Sequence, residues 1–354
     1  MRVACFTGLV VPLLSHHLAW AYQVQTPPLD TDWTYKVGKD PWPEYPRPLL
    51  QRDNWQSLNG IWKWRSATTA VADAPPQDDA YLADVLVPSC LESGLSGVQE
   101  QNLTQVWFQT KFDLGNQWQW SNSSSNPSSE KVLLNFEAVD YEATVFINGQ
   151  KAGFHRGGYW RFTVDATPFL KRGVNTLHVH VFDPTDLDGY VVPVGKQTRN
   201  PSHIFYTPCT GIWQSVWLET VPATHIKKID VAAGADGTVN ATVWSSKKHS
   251  SDPVTISVVD DSGKVIASHK ATANENFEFT VDSPKLWSPS DPNLYNLTVT
   301  LGKDEVTSYT GFRTISVGEV DGVKRPLING EFEFLFGTLD QVRSSFGLTI
   351  SSSE

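Results

Sequence analysis

KVLLNFEAVDYEATVFING, residues 131–149, reads as two β-strands followed by a hairpin turn. Val132 to Phe136 and Ala143 to Ile147 are short runs of β-branched, aliphatic and aromatic residues bounded by polar ones, the pattern of strands rather than of a helix. Asn148-Gly149 then supplies a dipeptide that readily takes the two left-handed conformations of a tight hairpin. Downstream, Thr176 to Phe182 sets Leu177, Val179 and Val181 against His178 and His180, an alternation that no helical stripe produces. Gln214 to Val221 is a further strand, rich in Trp and Val. No convincing amphipathic helix follows residue 50, so the expected fold class is all-β.

Pro222 marks a boundary. Beyond it the strands are short and regularly spaced: Ile226 to Val231, Thr238 to Trp244, Val254 to Val259, Val265 to His269, Phe277 to Val281, Tyr295 to Leu301 and Val306 to Tyr309. Such a run of short strands is the signature of an immunoglobulin-like sandwich, and Asp260-Asp261-Ser262-Gly263 reads as one of its hairpin turns. The part before Pro222 is longer and fits a jelly-roll sandwich. Ser121 to Ser129, rich in Ser, Asn and Pro, interrupts it as an exposed loop.

A chain of 354 residues with 40% hydrophobic and 19% charged residues has room for two domains, each with its own core. The formal net charge of -10 argues against a nucleic-acid partner and gives no attraction to an anionic membrane. The 14 Trp stand against a single Met; Trp fills sandwich cores and also offers flat platforms to sugar rings.

Arg2, the apolar run Phe6 to Leu14 and Ala19-Trp20-Ala21 read as a signal peptide over residues 1–21, with a buried first strand as the alternative. No later stretch is apolar enough for a membrane helix, so the expected location is outside the cell, as a secreted protein. With Cys5 removed, Cys90 and Cys209 remain, either as a disulfide of an oxidising compartment or as two separate buried thiols. Asn102, Asn122, Asn240 and Asn296 head N-glycosylation sequons, whereas Pro127 and Pro201 spoil those at Asn126 and Asn200. Asn240 and Asn296 alternate with apolar neighbours, which puts both on the outward faces of strands.

Several motifs, taken in order, resemble a known family. They are Arg52-x-x-Trp55-x-x-Leu58-Asn59-Gly60-x-Trp62, Val87-Pro88-Ser89 with Glu92-Ser93, Trp107-Phe108, and Phe146 to Gly149 leading into His155-Arg156-Gly157-Gly158-Tyr159. Asp183-Pro184-Thr185-Asp186, Gly195-Lys196-Gln197 and Gly211 to Glu219 follow, then Leu286 to Pro289, Pro292 to Tyr295 and Gly311-Phe312-Arg313. Over roughly Trp33 to Gln341 the chain resembles the N-terminal region of glycoside hydrolase family 2, the β-galactosidases, β-glucuronidases and β-mannosidases. The resemblance implies a jelly-roll sugar-binding-type β-sandwich over residues 22–222 and an immunoglobulin-like β-sandwich over 223–318. It implies the lead-in and first strand of a (β/α)8 barrel over 319–341, and leaves 342–354 as a tail outside the family pattern.

In this family the loops at one end of the first sandwich help complete the barrel's active site, which makes Asp183, Asp186, Lys196, Gln197, His155 and Arg156 the sugar-facing candidates. From the residues alone, Asp183 and Asp186 serve equally well to fix a turn, and His155 and Arg156 to form a structural pair. Retaining β-glycosidases need two carboxylates about 5 Å apart. In the family both are Glu on strands of the barrel, a domain of about 250 residues. No catalytic residue is therefore assigned, and the chain is expected to be a truncated member, inactive alone, with a free-standing carbohydrate-binding protein as the alternative. Asn274-Glu275 mimics the family's acid/base pair but falls between two strands of the second domain. No nucleophile elbow, metal-ligand spacing or glycine-rich phosphate loop appears, so no metal or cofactor is expected and the partner is carbohydrate. His178 and His180 share a strand face and could touch a cation, although packed histidines are commoner.

Overall fold

The computed structural model describes residues 21–338 except 27–30, 38–39, 82, 116–117, 119, 121–129 and 251. Residues 1–20 of the segment read as a signal peptide, Asn122 with its loop, and the tail 342–354 thus lie outside the described residues. Regular structure among the described residues is β-strand, with short 3-10 turns and no α-helix.

The first sandwich pairs a four-stranded with a six-stranded sheet. The smaller runs Trp55–Ser57, Val216–Val221, Lys131–Phe136, Phe162–Asp165. The larger runs Ala83–Val87, Gly60–Ser66, Gln105–Leu114, Gly173–Phe182, Glu142–Ile147, Gln150–Arg156. Lys131–Phe136 and Glu142–Ile147 therefore sit in different sheets, and the chain crosses between them at Val139–Asp140. Asn148 and Gly149 adopt φ of 51° and 81° and turn Glu142–Ile147 into Gln150–Arg156. The inward faces of both sheets meet in a core that includes Trp62, Phe108, Phe136, Val145, Val179 and Leu218. Each fully buried large apolar side chain contributes about 1.5–3 kcal/mol, so this interdigitated layer dominates the stability of the domain.

The second sandwich faces Ile226–Ala233, Thr238–Ser245 and Asn276–Thr280 against Val265–Thr272, Pro253–Val259, Tyr295–Leu301 and Asp304–Thr310. Val239, Ile256, Val299 and Phe312 anchor its core, and Leu50, ahead of the first sandwich, plugs into it. The junction between the two is bonded at depth. Arg52 donates to Asp304 through Nε (3.1 Å) and Nη2 (2.7 Å), and to the Ile226 carbonyl at 2.9 Å. Glu219, fully buried, takes Arg47 at 2.6 Å and Arg52 at 3.6 Å.

Ile315–Val320, Val323–Ile328 and Glu331–Phe332 make a third, antiparallel meander. Its turns are Asp321-Gly322 and Asn329-Gly330, each with both residues at positive φ, the conformation such dipeptides favour. In the stretch read as lead-in and first barrel strand, 319–341, Val323–Ile328 and Glu331–Phe332 join this antiparallel meander, and among the described residues Phe334, Leu335 and Phe336 are exposed.

Candidate functional site

At one loop end of the first sandwich, Val139–Asp140 pairs with Gly211–Ile212, and Cys90 is joined to Cys209 in a disulfide. The disulfide packs with Ala138 and Trp213 and clamps the loop after Ala83–Val87 onto the one before Gly211. Around this clamp the chain buries three carboxyl groups, Glu92, Asp140 and Asp183.

Asp183 Oδ1 accepts from the Thr185 amide (2.9 Å) and hydroxyl (2.7 Å), and its Oδ2 accepts from Thr210 Oγ1 at 2.7 Å. Glu92 Oε2 accepts from the Thr210 amide at 3.0 Å, while its Oε1 is buried with no hydrogen-bond partner. Burial pushes the Glu92 carboxyl up to about 8, and the nearby Asp183 adds to the rise. Asp140 is pushed up to about 7, first by burial and then by Asp183, against the opposing effect of a Gln197 hydrogen bond. Gly158 lies over Asp140 so closely that a Cβ there would stand 2.6 Å from the carboxyl, so any side chain at that position would force the carboxyl to shift.

Gln197 ties the cluster to its rim. Its Nε2 donates to Tyr159 Oη and to the Val194 carbonyl, both at 2.9 Å, and its Oε1 accepts from the Cys209 amide at 2.6 Å. Trp213 donates its indole N–H to the Gly158 carbonyl at 2.9 Å and meets Tyr159 edge-on, ring centres 5.9 Å apart. Exposed Tyr159, Trp160, Tyr190 and Phe205 stand on the surrounding loops. The arrangement sets buried carboxyl and amide groups beside the phenol of Tyr159 and the indole of Trp213. Carboxyls raised to this range hold protons near neutrality and can donate as well as accept.

Of the six sugar-facing candidates, the structure brings Asp183 and Gln197 into this cluster. Asp183 is buried with both oxygens engaged, so it organises the loop from within. Asp186, at φ 56°, accepts from Thr198 Oγ1 and the Arg199 amide, both at 2.7 Å, and so pins one loop to the next. Lys196 is exposed, its carbonyl accepting from the Tyr206 amide at 2.8 Å. His155 stacks on Phe162 of the other sheet with ring centres 4.2 Å apart, and Arg156 pairs with Glu142 of the neighbouring strand at 2.7 Å, so both are engaged by neighbouring strands. His178 and His180 are buried, beside Gln109 (3.2 Å) and the Thr69 carbonyl (3.0 Å) respectively.

Sequence reasoning missed Glu92, Asp140, Tyr159, Thr210 and Trp213 as members of one site. Four of them stand within quoted motifs or beside them. Asp140 lies in the middle of residues 131–149, and the cramped Gly157-Gly158 pair was the one local sign that something must approach there.

Comparison with known proteins supplies the context. The family model described as "Glycosyl hydrolases family 2, sugar binding domain" matches residues 55–222, and that described as "Glycosyl hydrolases family 2" matches 222–313. A putative beta-glucuronidase of Formosa agariphila is 34% identical over 205 residues, covering 53% of this chain and 24% of that protein. The beta-glucuronidase of Rattus norvegicus is 27% identical over 285 residues, covering 73% of this chain and 42% of that protein. The solved structure of the Faecalibacterium prausnitzii beta-glucuronidase superposes with a TM-score of 0.61 at 25% identity, covering 80% of this chain and 49% of that one. This chain thus spans less than half the length of these relatives. The two models abut at the Pro222 boundary, and the chain belongs to glycoside hydrolase family 2 through both of its β-sandwiches.

Proposed function

We propose that residues 22–313 form the sugar-facing, non-catalytic part of a secreted family 2 β-glycosidase, binding and orienting carbohydrate without hydrolysing it alone. The observation that carries this reading is the Asp140, Gln197 and Tyr159 constellation beneath Gly158, ringed by exposed aromatic residues at a loop end of the sandwich. Polar side chains that fix hydroxyls, beside rings that cover sugar faces, are the elements of a carbohydrate site. The raised carboxyls do not argue for an acid/base pair here. Asp183 and Glu92 are buried and bonded to Thr185 and Thr210. The buried Cys90–Cys209 disulfide supports an oxidising compartment. The exposed apolar side chains of Ile315, Val317, Phe334 and Phe336 favour further protein covering that face over a free-standing binder.

The test is an NMR titration of the full chain with methyl glycosides of galactose, glucuronic acid and mannose, watching the Trp213 indole N–H. At least one glycoside should shift it, with binding weakened about tenfold, or about 1.4 kcal/mol, in Asp140→Asn. Turnover of nitrophenyl glycosides by the purified chain, or glycoside binding untouched by Asp140→Asn, would defeat the proposal.

A further inference from the structure

Two cavities that the side chains of the carboxyl cluster do not line share a wall. One, of about 430 Å³, is lined by Trp42, Arg47, Glu137, Arg161 and Gln214 beside the first sandwich. The other, of about 400 Å³, lies against Asp230, Asn240, Thr242 and Asn276 of the second. Leu49 and Tyr309 line both, which makes the two cavities halves of one groove crossing the junction of the sandwiches. None of Glu92, Asp140, Tyr159 or Gln197 contributes to either half.

The groove is held open by the fold. Arg52 and Asp304 lock the sandwiches together, and Gln51 exchanges backbone hydrogen bonds with Thr307, two residues before Tyr309. Leu50 is anchored in the second core, which fixes its neighbour Leu49 at the saddle. At the far end Trp42 takes φ 53°, an unfavourable conformation for so bulky a residue. A dedicated side chain is bonded to it there: Asn59 donates to the Pro41 carbonyl (3.2 Å), the Trp42 carbonyl (3.3 Å) and Ser215 Oγ (3.0 Å). Backbone strain retained and supported in this way marks positions where the side chain's placement matters.

The chemistry of the walls selects the ligand. Trp42 and the exposed Tyr309 present rings, and between them stand side chains that donate and accept hydrogen bonds. Each guanidinium in the groove is already paired, Arg47 with Glu219 at 2.6 Å and Arg161 with Glu137 at 3.1 Å, so the walls do not favour an anion. Each half also has the size of a small-ligand pocket, so a single sugar would occupy only one. We infer that this groove binds an extended, neutral glycan chain of several sugar units, laid across Tyr309 as its central stacking ring. The inference shares with the proposed function only the class of ligand, and its residues are separate.

Titration calorimetry of the full chain with cellohexaose, mannohexaose and β-1,4-galactohexaose, and with the matching disaccharides, tests it. For at least one series the hexasaccharide should bind about tenfold tighter than its disaccharide, an advantage on the scale of one aromatic contact. That advantage should vanish in Tyr309→Ala, persist in Tyr309→Phe, and persist in Asp140→Asn. Tyr309 is 40% exposed, so its truncation leaves the core intact and an unchanged melting temperature serves as the control. A hexasaccharide no tighter than its disaccharide, Tyr309→Ala binding as well as the parent, or no binding in any series overturns the groove. Failure of the carboxyl-cluster reading shows separately, as methyl glycoside binding indifferent to Asp140→Asn.

Discussion

Replacing Glu92 by Gln should make the protein more stable at alkaline pH and leave it almost unchanged at acid pH. In the unfolded chain this carboxyl titrates near 4.5, and in the fold near 8. Between those values the folded chain keeps a proton that the unfolded chain has lost, so stability falls as pH rises through that window. The penalty is complete above about 8. A gap of that size corresponds to at most about 5 kcal/mol, and relaxation of the ionised group toward water brings the expected effect to about 2–4 kcal/mol. Gln keeps an oxygen to accept from the Thr210 amide and places an uncharged NH2 where Oε1 now has no partner. At pH 5 the exchange therefore swaps one neutral group for another. Urea denaturation at pH 5, 7 and 9, followed by Trp fluorescence with the disulfide intact, measures the difference. The reasoning fails if the two proteins run parallel at all three pH values, or if Gln destabilises more at pH 9 than at pH 5.

Arg52→Ala should lose about 3–5 kcal/mol by leaving Asp304 buried and unpaired; calorimetry should then resolve two transitions where the parent shows coupled melting. In protein secreted from a eukaryotic host, Asn102 and Asn296 should carry glycans, because both side chains are exposed. Asn240 should not, because its Nδ2 is committed to Glu278 at 2.9 Å, and peptide mapping after enzymatic deglycosylation reads all three. Chymotrypsin should cut first after Phe334 or Phe336, 74% and 90% exposed and outside any ladder, and leave both sandwiches whole; primary cuts within either sandwich would contradict the packing described above.

What the sequence by itself determined is what neighbouring residues decide. The two-residue period of Thr176 to Phe182 and the Asn148-Gly149 turn follow from local sterics, which act within a few residues and need no partner. The ordered series of weak motifs identified the family because each is a local solution to a turn or a packing contact, repeated along the chain. Tertiary structure alone decided which polar residues meet. Glu92 reaches Thr210 across 118 residues and Arg52 reaches Asp304 across 252, and neither pair leaves a trace in local pattern. His178 and His180 show the limit from the other side. Alternation puts them on the outer face of their sheet, yet both are buried, because Tyr81 packs at a tilt against His178 and the Thr69 carbonyl bonds His180. Asp140 is the same case at the site itself. Its proton affinity is set by burial, by Asp183 and by Gln197, groups gathered by long-range folding; the strength of an electrostatic effect depends on distance and solvent exclusion in space, which sequence separation does not encode.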